Sequence, residues 1–425
     1  MNQQDIKEIV VEAGKELVKK GLIARTWGNV SCRAGEDQFV ITPSGRTYET
    51  LAPGEIVTVN IKDCSHEGSI EPSSEKGVHA EVYRQRPDIN FVIHTHQPYA
   101  SAISCLGIDI PVAGPEAKQQ IGSQVISVPY ALSGTKKLRN NIATALSRSE
   151  SKAFLMVSHG AICLGENRDQ AFLVAEELEK VCAAAVIGFH PDAGSDDKLD
   201  HDGLRDYYIR KMMNLSSAVD YPATESIYNS ERSSSGFRLY LDRAGKTPFS
   251  AEGDDVFELA GNEAGGVPGK QDFDSGIEKA ISIHREIYSR NRDVNALIHT
   301  TAPDILAVSR VGNTVYPLLD DFAQIIGTKA PLINISTQNR PGRAAAYAAR
   351  ALKGRSAVML NNNGALCAGP SISDALAAGI ILDKNCKAVI ASALSGLGKP
   401  INPLECLLMR YVYLKRYSKK AVSGK

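Results

Sequence analysis

The chain has 425 residues, enough for two or three domains. Its 48 basic and 48 acidic side chains give zero formal net charge, which argues against a nucleic-acid surface built on bulk positive charge. With 43% hydrophobic and 23% charged residues, the composition is that of a globular protein and excludes wholesale disorder.

The first expected element is an amphipathic helix, because Ile6, Ile9, Val10, Ala13 and Leu17 recur at helical spacing. Early acids exclude a signal or transit peptide, and no run approaches the ~18 apolar residues of a membrane span. A cytoplasmic protein without membrane or nucleic-acid partners is expected. Three small-residue turns follow: Thr26-Trp27-Gly28-Asn29-Val30-Ser31, Thr42-Pro43-Ser44-Gly45 and Pro72-Ser73-Ser74. Glycine lets a backbone approach an anion, and hydroxyls add donors. The third turn precedes a helix predicted from Glu75 to Gln85, whose N-terminus suits a phosphate. Ser73 or Ser74 could equally cap that helix.

The apolar run Phe91-Val92-Ile93 predicts a buried strand leading into His94-Thr95-His96. A second strand, Ala153 to Val157, ends at Ser158-His159-Gly160, and a helix follows at about Arg168 to Ala185. Strands ending in histidine and alternating with helices predict a layered α/β domain. Residues i and i+2 of a strand share a face, so His94 and His96 project together. With His159 they make three imidazoles, a common catalytic zinc arrangement when one position stays open. The eight cysteines form no CxxC pair and are expected to be reduced and mostly buried.

The chain also repeats itself. Residues 79–104 align without a gap on 284–309, and eleven positions are identical. Residues 153–165 align on 357–369 at nearly the same offset. A tandem duplication is expected, each copy about half the chain. At the columns of His94, His96 and His159 the second copy has His299, Thr301 and Asn363, and Ala280 replaces Glu75. The second copy should therefore lack the metal site, with His299 a core histidine. No clear counterpart of the three turns is found in it. A linker is expected within Ser216 to Gly236, and a loop of the second copy at Gly261 to Gly269.

Together with Pro129-Tyr130-Ala131-Leu132-Ser133-Gly134-Thr135 and His159-Gly160, the turns and the His94-Thr95-His96 motif resemble the class II aldolase/adducin family, most closely its L-fuculose-1-phosphate aldolase branch. The resemblance covers residues 1 to about 213. It implies a three-layer α/β/α sandwich present twice in tandem, catalytic over 1–213 and degenerate over 214–425. It implies one zinc ion per chain, held by His94, His96 and His159. It places the acid/base carboxylate on Glu75 and phosphate binding on Gly28, Asn29, Ser44, Gly45, Ser73 and Ser74. A tyrosine that protonates the aldehyde oxygen falls on Tyr130, and a C-terminal tyrosine on Tyr207 or Tyr208.

The activity implied is zinc-dependent retro-aldol cleavage of a phosphorylated ketose, such as L-fuculose 1-phosphate, to dihydroxyacetone phosphate and an aldehyde. In the epimerase branch the carboxylate is usually Asp, so Glu75 favours carbon–carbon cleavage. The alternatives are a metal-dependent sugar-phosphate 4-epimerase, a sugar-acid decarboxylase and, from another class, a non-catalytic adducin-like interaction module. Retention of all three histidines argues against the last. The fourfold rings of the family imply a homo-oligomer, either a homodimer forming a pseudo-fourfold ring or a homotetramer.

Overall fold

The computed structural model describes residues 2–23, 27–192, 200–217, 228–241, 255–260, 275–335 and 341–417. By its contacts the chain forms two compact units, one of residues 1–194, 395–399 and 414–425 and the other of residues 195–394 and 400–413. The first contains α1 (Gln3–Lys19), β1 (Asn29–Arg33), β2 (Gln38–Ile41), β3 (Val57–Asn60), α2 (Lys76–Gln85), β4 (Phe91–Thr95), α3 (Pro98–Ser104), β5 (Ile110–Pro111), α4 (Pro115–Ile121), β6 (Gln124–Val128), α5 (Lys136–Ser147), β7 (Ala153–Met156), β8 (Gly160–Gly165) and α6 (Arg168–Ile187).

α1 starts at a reciprocal cap. The Asn2 side chain accepts from the Asp5 N–H at 2.9 Å, and the Asp5 carboxylate accepts from the Asn2 N–H at 3.1 Å. The helix buries Ile6, Val10, Ala13 and Leu17 as its spacing predicts, while Ile9 is half-buried. The strands form one sheet in the order β3-β2-β1-β4-β8-β7-β6-β5. β6 and β7 pair in parallel, and the other neighbours are antiparallel. On one face, Val78, Val82 and Tyr83 of α2 and Leu138 and Ile142 of α5 pack with Val92, Phe154 and Ile162 of the sheet. α3 and α6 pack against β7 and β8, forming the opposite layer. The domain is thus an α/β/α sandwich.

The second unit contains α7 (His201–Met213), β9 (Asn229–Arg232), β10 (Gly236–Leu241), β11 (Asp255–Ala260), α8 (Ser275–Arg290), β12 (Ala296–Thr300), α9 (Pro303–Val311), α10 (Asp320–Ile325), β13 (Leu332–Ile333), α11 (Pro341–Ala351), β14 (Ala357–Leu360), β15 (Ala365–Gly369), α12 (Ile372–Ser395) and α13 (Pro403–Val412). Its sheet runs β11-β10-β9-β12-β15-β14-β13, the first sheet's order strand for strand without β5. The register repeats too. His94 faces Ile162 across β4 and β8, and His299 faces Leu366 across β12 and β15. The β5–β6 pair Ile110↔Val125 survives only as a single bridge, Val315↔Ala330. The sheets therefore confirm one fold used twice.

Three expectations change. The segment Ser216 to Gly236 is not all linker: Ser230-Glu231-Arg232 forms the end of β9, and residues 233–235 turn into β10. Its polarity hid a strand because Ser230 bonds inward to buried partners and Arg232 bonds back to the Tyr288 carbonyl at 2.8 Å. Residues 218–227 of that segment lie outside the described residues, as does all of Gly261 to Gly269. α7, expected with the first copy, groups with the second. Its Arg205 Nε meets the buried Asp304 carboxylate of α9 at 2.6 Å, which ties the two helices. Tyr208 is buried inside this second unit, and Lys211 stands 6.0 Å over the ring of Tyr207. Tyr208 is thereby committed to core packing.

None of the cysteines is in a disulfide; seven are buried and Cys64 is half-buried. Among the described residues, no helix is long and apolar enough to cross a membrane.

Candidate metal and acid–base site

The first sheet presents its polar side chains where β4, the β7–β8 turn and the start of α2 meet. Along β4, Val92 faces α2 and α5, and alternation puts His94 on the same face. The chain leaves the strand at Thr95, and His96 follows. His159 lies in the tight turn between β7 and β8, behind Ser158 in the left-handed region at φ 61°. Gly160 closes this turn under the Thr95 carbonyl, where an added Cβ would come closer than 3.0 Å. Gly28 does the same for the first turn. Its φ is 95°, and a Cβ there would lie 2.5 Å from the His94 carbonyl oxygen.

The three imidazoles form a compact cluster. Ring centroids are 4.7 Å apart for His94 and His96, 4.9 Å for His94 and His159, and 5.0 Å for His96 and His159. One ligand nitrogen from each lies within 4.8 Å of the others, the single such group among the described residues. The donor set fits a divalent metal. His94 bonds through Nδ1 to the Ala161 carbonyl at 2.9 Å, which turns Nε2 toward the cluster, as an outer-shell carbonyl does for a metal-binding histidine. Burial, helped by the neighbouring imidazoles, drives the His94 pKa well below the usual histidine value, and Glu75 opposes this only in part. A neutral imidazole is the form that binds a metal.

Glu75 is the N-cap residue of α2, and its side chain does not cap the helix. Its backbone N–H donates to Ser73 Oγ at 3.3 Å, a turn contact that precedes the helix and caps none of its first N–H groups. The carboxylate is buried and faces the histidines. Oε1 is 2.8 Å from His159 Nε2 and accepts from the Ser133 hydroxyl at 2.9 Å. Oε2 lies 3.2 Å from His94 Nε2 and accepts from the Asn29 amide at 2.9 Å. Burial alone would raise its pKa. The imidazoles of His94 and His159 and hydrogen bonds from His159 and Asn29 outweigh that and hold it well below the usual carboxylate range.

The small-residue turns lie side by side. Thr42 N–H donates to the Val30 carbonyl at 3.0 Å, and Ser73 N–H to the Thr42 carbonyl at 3.1 Å. Ser44 N–H donates to the Glu71 carbonyl at 2.9 Å. The backbone donors of Ser44 and Ser73 are thus taken, and so is the Asn29 side chain. An anion here would meet hydroxyls and the other N–H groups of the turns. Ser73 is buried, Ser74 is exposed at the start of α2, and Gly28, Ser44 and Gly45 are half-buried. Tyr130 stands half-buried three residues before Ser133, on the loop after β6; Thr26 lies outside the described residues. Two participants were missed from sequence. Ser133 sits inside the quoted Pro129–Thr135 motif, and His79 is the first column of the repeat.

The second unit keeps the turn but not the chemistry. Asn362 has φ 55°, close to the 61° of Ser158 in the first unit's turn, while Gly364 (φ 74°) is left-handed where Gly160 is not. His299 bonds through Nε2 to the Asn363 carbonyl at 2.8 Å, so the nitrogen facing the cluster in the first unit is here tied to backbone. His299 is half-buried, and the desolvation of its ring lowers its pKa to about 4.

The first unit is an α/β/α domain with three clustered imidazoles that could hold a metal ion and one buried carboxylate beside them. The model of the Class II Aldolase and Adducin N-terminal domain matches residues 8–186 and again 239–390, and the chain belongs to this family. The two matches coincide with the two units. The chain is 37% identical over 177 residues to a 5-deoxy-D-ribulose 1-phosphate aldolase of Bacillus thuringiensis, covering 41% of this chain and 82% of that protein. It is 36% identical over 179 residues to the L-fuculose phosphate aldolase of Haemophilus influenzae, covering 42% and 81%. A solved L-fuculose 1-phosphate aldolase shares 31% identity over 47% of this chain and 92% of its own, with a TM-score of 0.41.

Proposed function

We propose that the first unit is a zinc-dependent aldolase that cleaves a phosphorylated ketose to dihydroxyacetone phosphate and an aldehyde. The observation that carries this reading is the buried Glu75 carboxylate held between His94 and His159. Relatives named as aldolases of L-fuculose phosphate and 5-deoxy-D-ribulose 1-phosphate support the substrate class.

His94, His96 and His159 would hold the metal, which supplies electrophilic stabilisation of the negative charge that develops on the substrate oxygens. Glu75, acceptor-only when ionised, moves the proton at the carbon of the phosphate-bearing fragment. Its four neighbours aim it and keep it ionised until it takes that proton. The hydroxyls of Ser44, Ser73 and Ser74, with the backbone at Gly28 and Gly45, bind the phosphate. The start of α2 adds its partial positive charge. That binding energy positions the scissile bond from a distance. Tyr130 exchanges a proton with the aldehyde oxygen.

The test is a coupled assay for dihydroxyacetone phosphate on a panel of ketose 1-phosphates, with metal analysis of the purified protein. Turnover that His94→Ala abolishes supports the reading. Protein without metal that releases no dihydroxyacetone phosphate refutes it. Epimerised sugar instead of cleaved sugar would move the function to the epimerase branch.

A further inference from the structure

A line of buried side chains runs away from the back of Glu75. Tyr83 OH is 2.7 Å from Ser31 Oγ, and Ser31 Oγ is 2.6 Å from His79 Nδ1. His79 Nε2 bonds to the Asn29 side-chain oxygen, and the Asn29 amide nitrogen donates to Glu75 Oε2 at 2.9 Å. Ser31 and His79 are 0% exposed, Tyr83 2% and Asn29 5%, so water cannot substitute along the line.

Its direction follows from its end. A carboxylate can only accept, so Asn29 must turn its NH2 to Glu75 and its oxygen to His79. His79 must then carry its proton on Nε2. Its Nδ1 must accept from Ser31, which leaves Ser31 to accept from Tyr83. Each group donates toward the carboxylate. Reversing any one member would set an acceptor against an acceptor.

The second unit supplies a control. Ser230 Oγ lies 2.6 Å from His284 Nδ1 and 2.8 Å from Tyr288 OH, the same three residues at the same spacings. Strand register equates Ser230 with Ser31, because they face Leu297 and Val92 in turn. Two residues earlier, where the first unit has Asn29, the second has Tyr228, and Ala280 replaces Glu75. The Ser–His–Tyr group is therefore a structural clasp common to both copies, joining the first strand to the helix. Only in the first copy is it extended to a carboxylate.

We propose that His79 is a positioning residue for the reaction: acting through Asn29, it fixes the amide so that its NH2 faces Glu75 and aims Oε2. The proposal rests on the aldolase reading for its kinetic consequence but not for its geometry. Two measurements keep these apart. In the full-length protein, long-range 15N–1H spectra should show His79 neutral with its proton on Nε2; a proton on Nδ1 would overturn the proposal whatever the activity. In the aldolase assay, His79→Leu should lower kcat by ~10–100-fold, the scale of an outer-shell residue, with KM and bound metal little changed. His79→Gln, which retains an N–H for Asn29, should restore most of that loss. The matched change His284→Leu should lower thermal stability comparably and leave kcat alone. Equal kcat losses from His79→Leu and His284→Leu would show a purely structural role and sink the idea. Should His79→Leu not fold, Ser31→Ala replaces it. That variant removes the donor that sets the tautomer, and it should lower kcat and mix the His79 tautomers; an unchanged spectrum and kcat would count against the proposal. Wild-type protein inactive on every ketose phosphate would refute the aldolase reading and leave the tautomer result to decide this one.

Discussion

His94 and His299 hold equivalent positions on β4 and β12 but commit opposite ring nitrogens to the backbone. His94 bonds through Nδ1 to Ala161, and His299 through Nε2 to Asn363. One ring leaves its outer nitrogen for a ligand, and the other has closed on its own turn. Metal binding should follow that difference. Purified protein should carry one divalent ion per chain by elemental analysis. His94→Ala or His159→Ala should remove it, and His299→Ala should leave the stoichiometry at one.

Replacing Glu75 by Gln keeps the size of the side chain and removes its basicity. Glu75→Gln should retain metal and lower kcat by roughly 10²–10⁴-fold, the range for a general acid–base group. Single-turnover kinetics would locate the loss in the chemical step. A variant as active as wild type would remove Glu75 from the mechanism.

Both copies require glycine after the strand turn. Gly160→Ala and Gly364→Ala would drive a Cβ against the carbonyls of Thr95 and Thr300. Each should destabilise its own unit by roughly 1–3 kcal/mol, read from urea unfolding. Gly160→Ala should weaken metal binding as well, since His94 and His159 flank it. Gly364→Ala should affect stability alone.

Acid should destabilise the protein before its carboxylates titrate. Burial lowers the pKa values of His79 and His299 to about 4, while an unfolded histidine titrates near 6.5. Between those values the unfolded chain binds the extra proton, so stability rises with pH and is lost as pH falls from about 6.5 toward 4. Each histidine contributes a slope of up to about 1.4 kcal/mol per pH unit in that window. Glu75, whose pKa is depressed, adds stability above its unfolded value that disappears as pH falls below it. Urea midpoints at pH 7, 6 and 5 should fall progressively, and His299→Gln should flatten the slope for the second unit. A midpoint unchanged to pH 5 would contradict neutral histidines at these two positions.

Periodicity and spacing were enough to find α1, β4, β7 and α6, and the His-x-His spacing pointed to the histidine cluster. What escaped were features whose partners are distant in sequence. Ser230-Glu231-Arg232 looked like linker because a serine bonded to a buried histidine 54 positions away is indistinguishable from an exposed one. α7, read with the first copy, packs with the second unit through contacts such as Arg205–Asp304, which spans 99 positions. Asn29 was expected to face an anion, yet its side chain is held by Glu75 and His79, 46 and 50 positions on. Its role depends on the opposite strand and helix, which no local pattern encodes.

Asn362 repeats the left-handed conformation of Ser158 in a turn that carries no imidazole. A bend between paired strands thus forms there without the histidine that the first unit places on it. A lineage could shed or reacquire such a centre by exchanging side chains, with no new loop to invent. Disuse of the second centre, on this view, is a reversible state of the duplicated half.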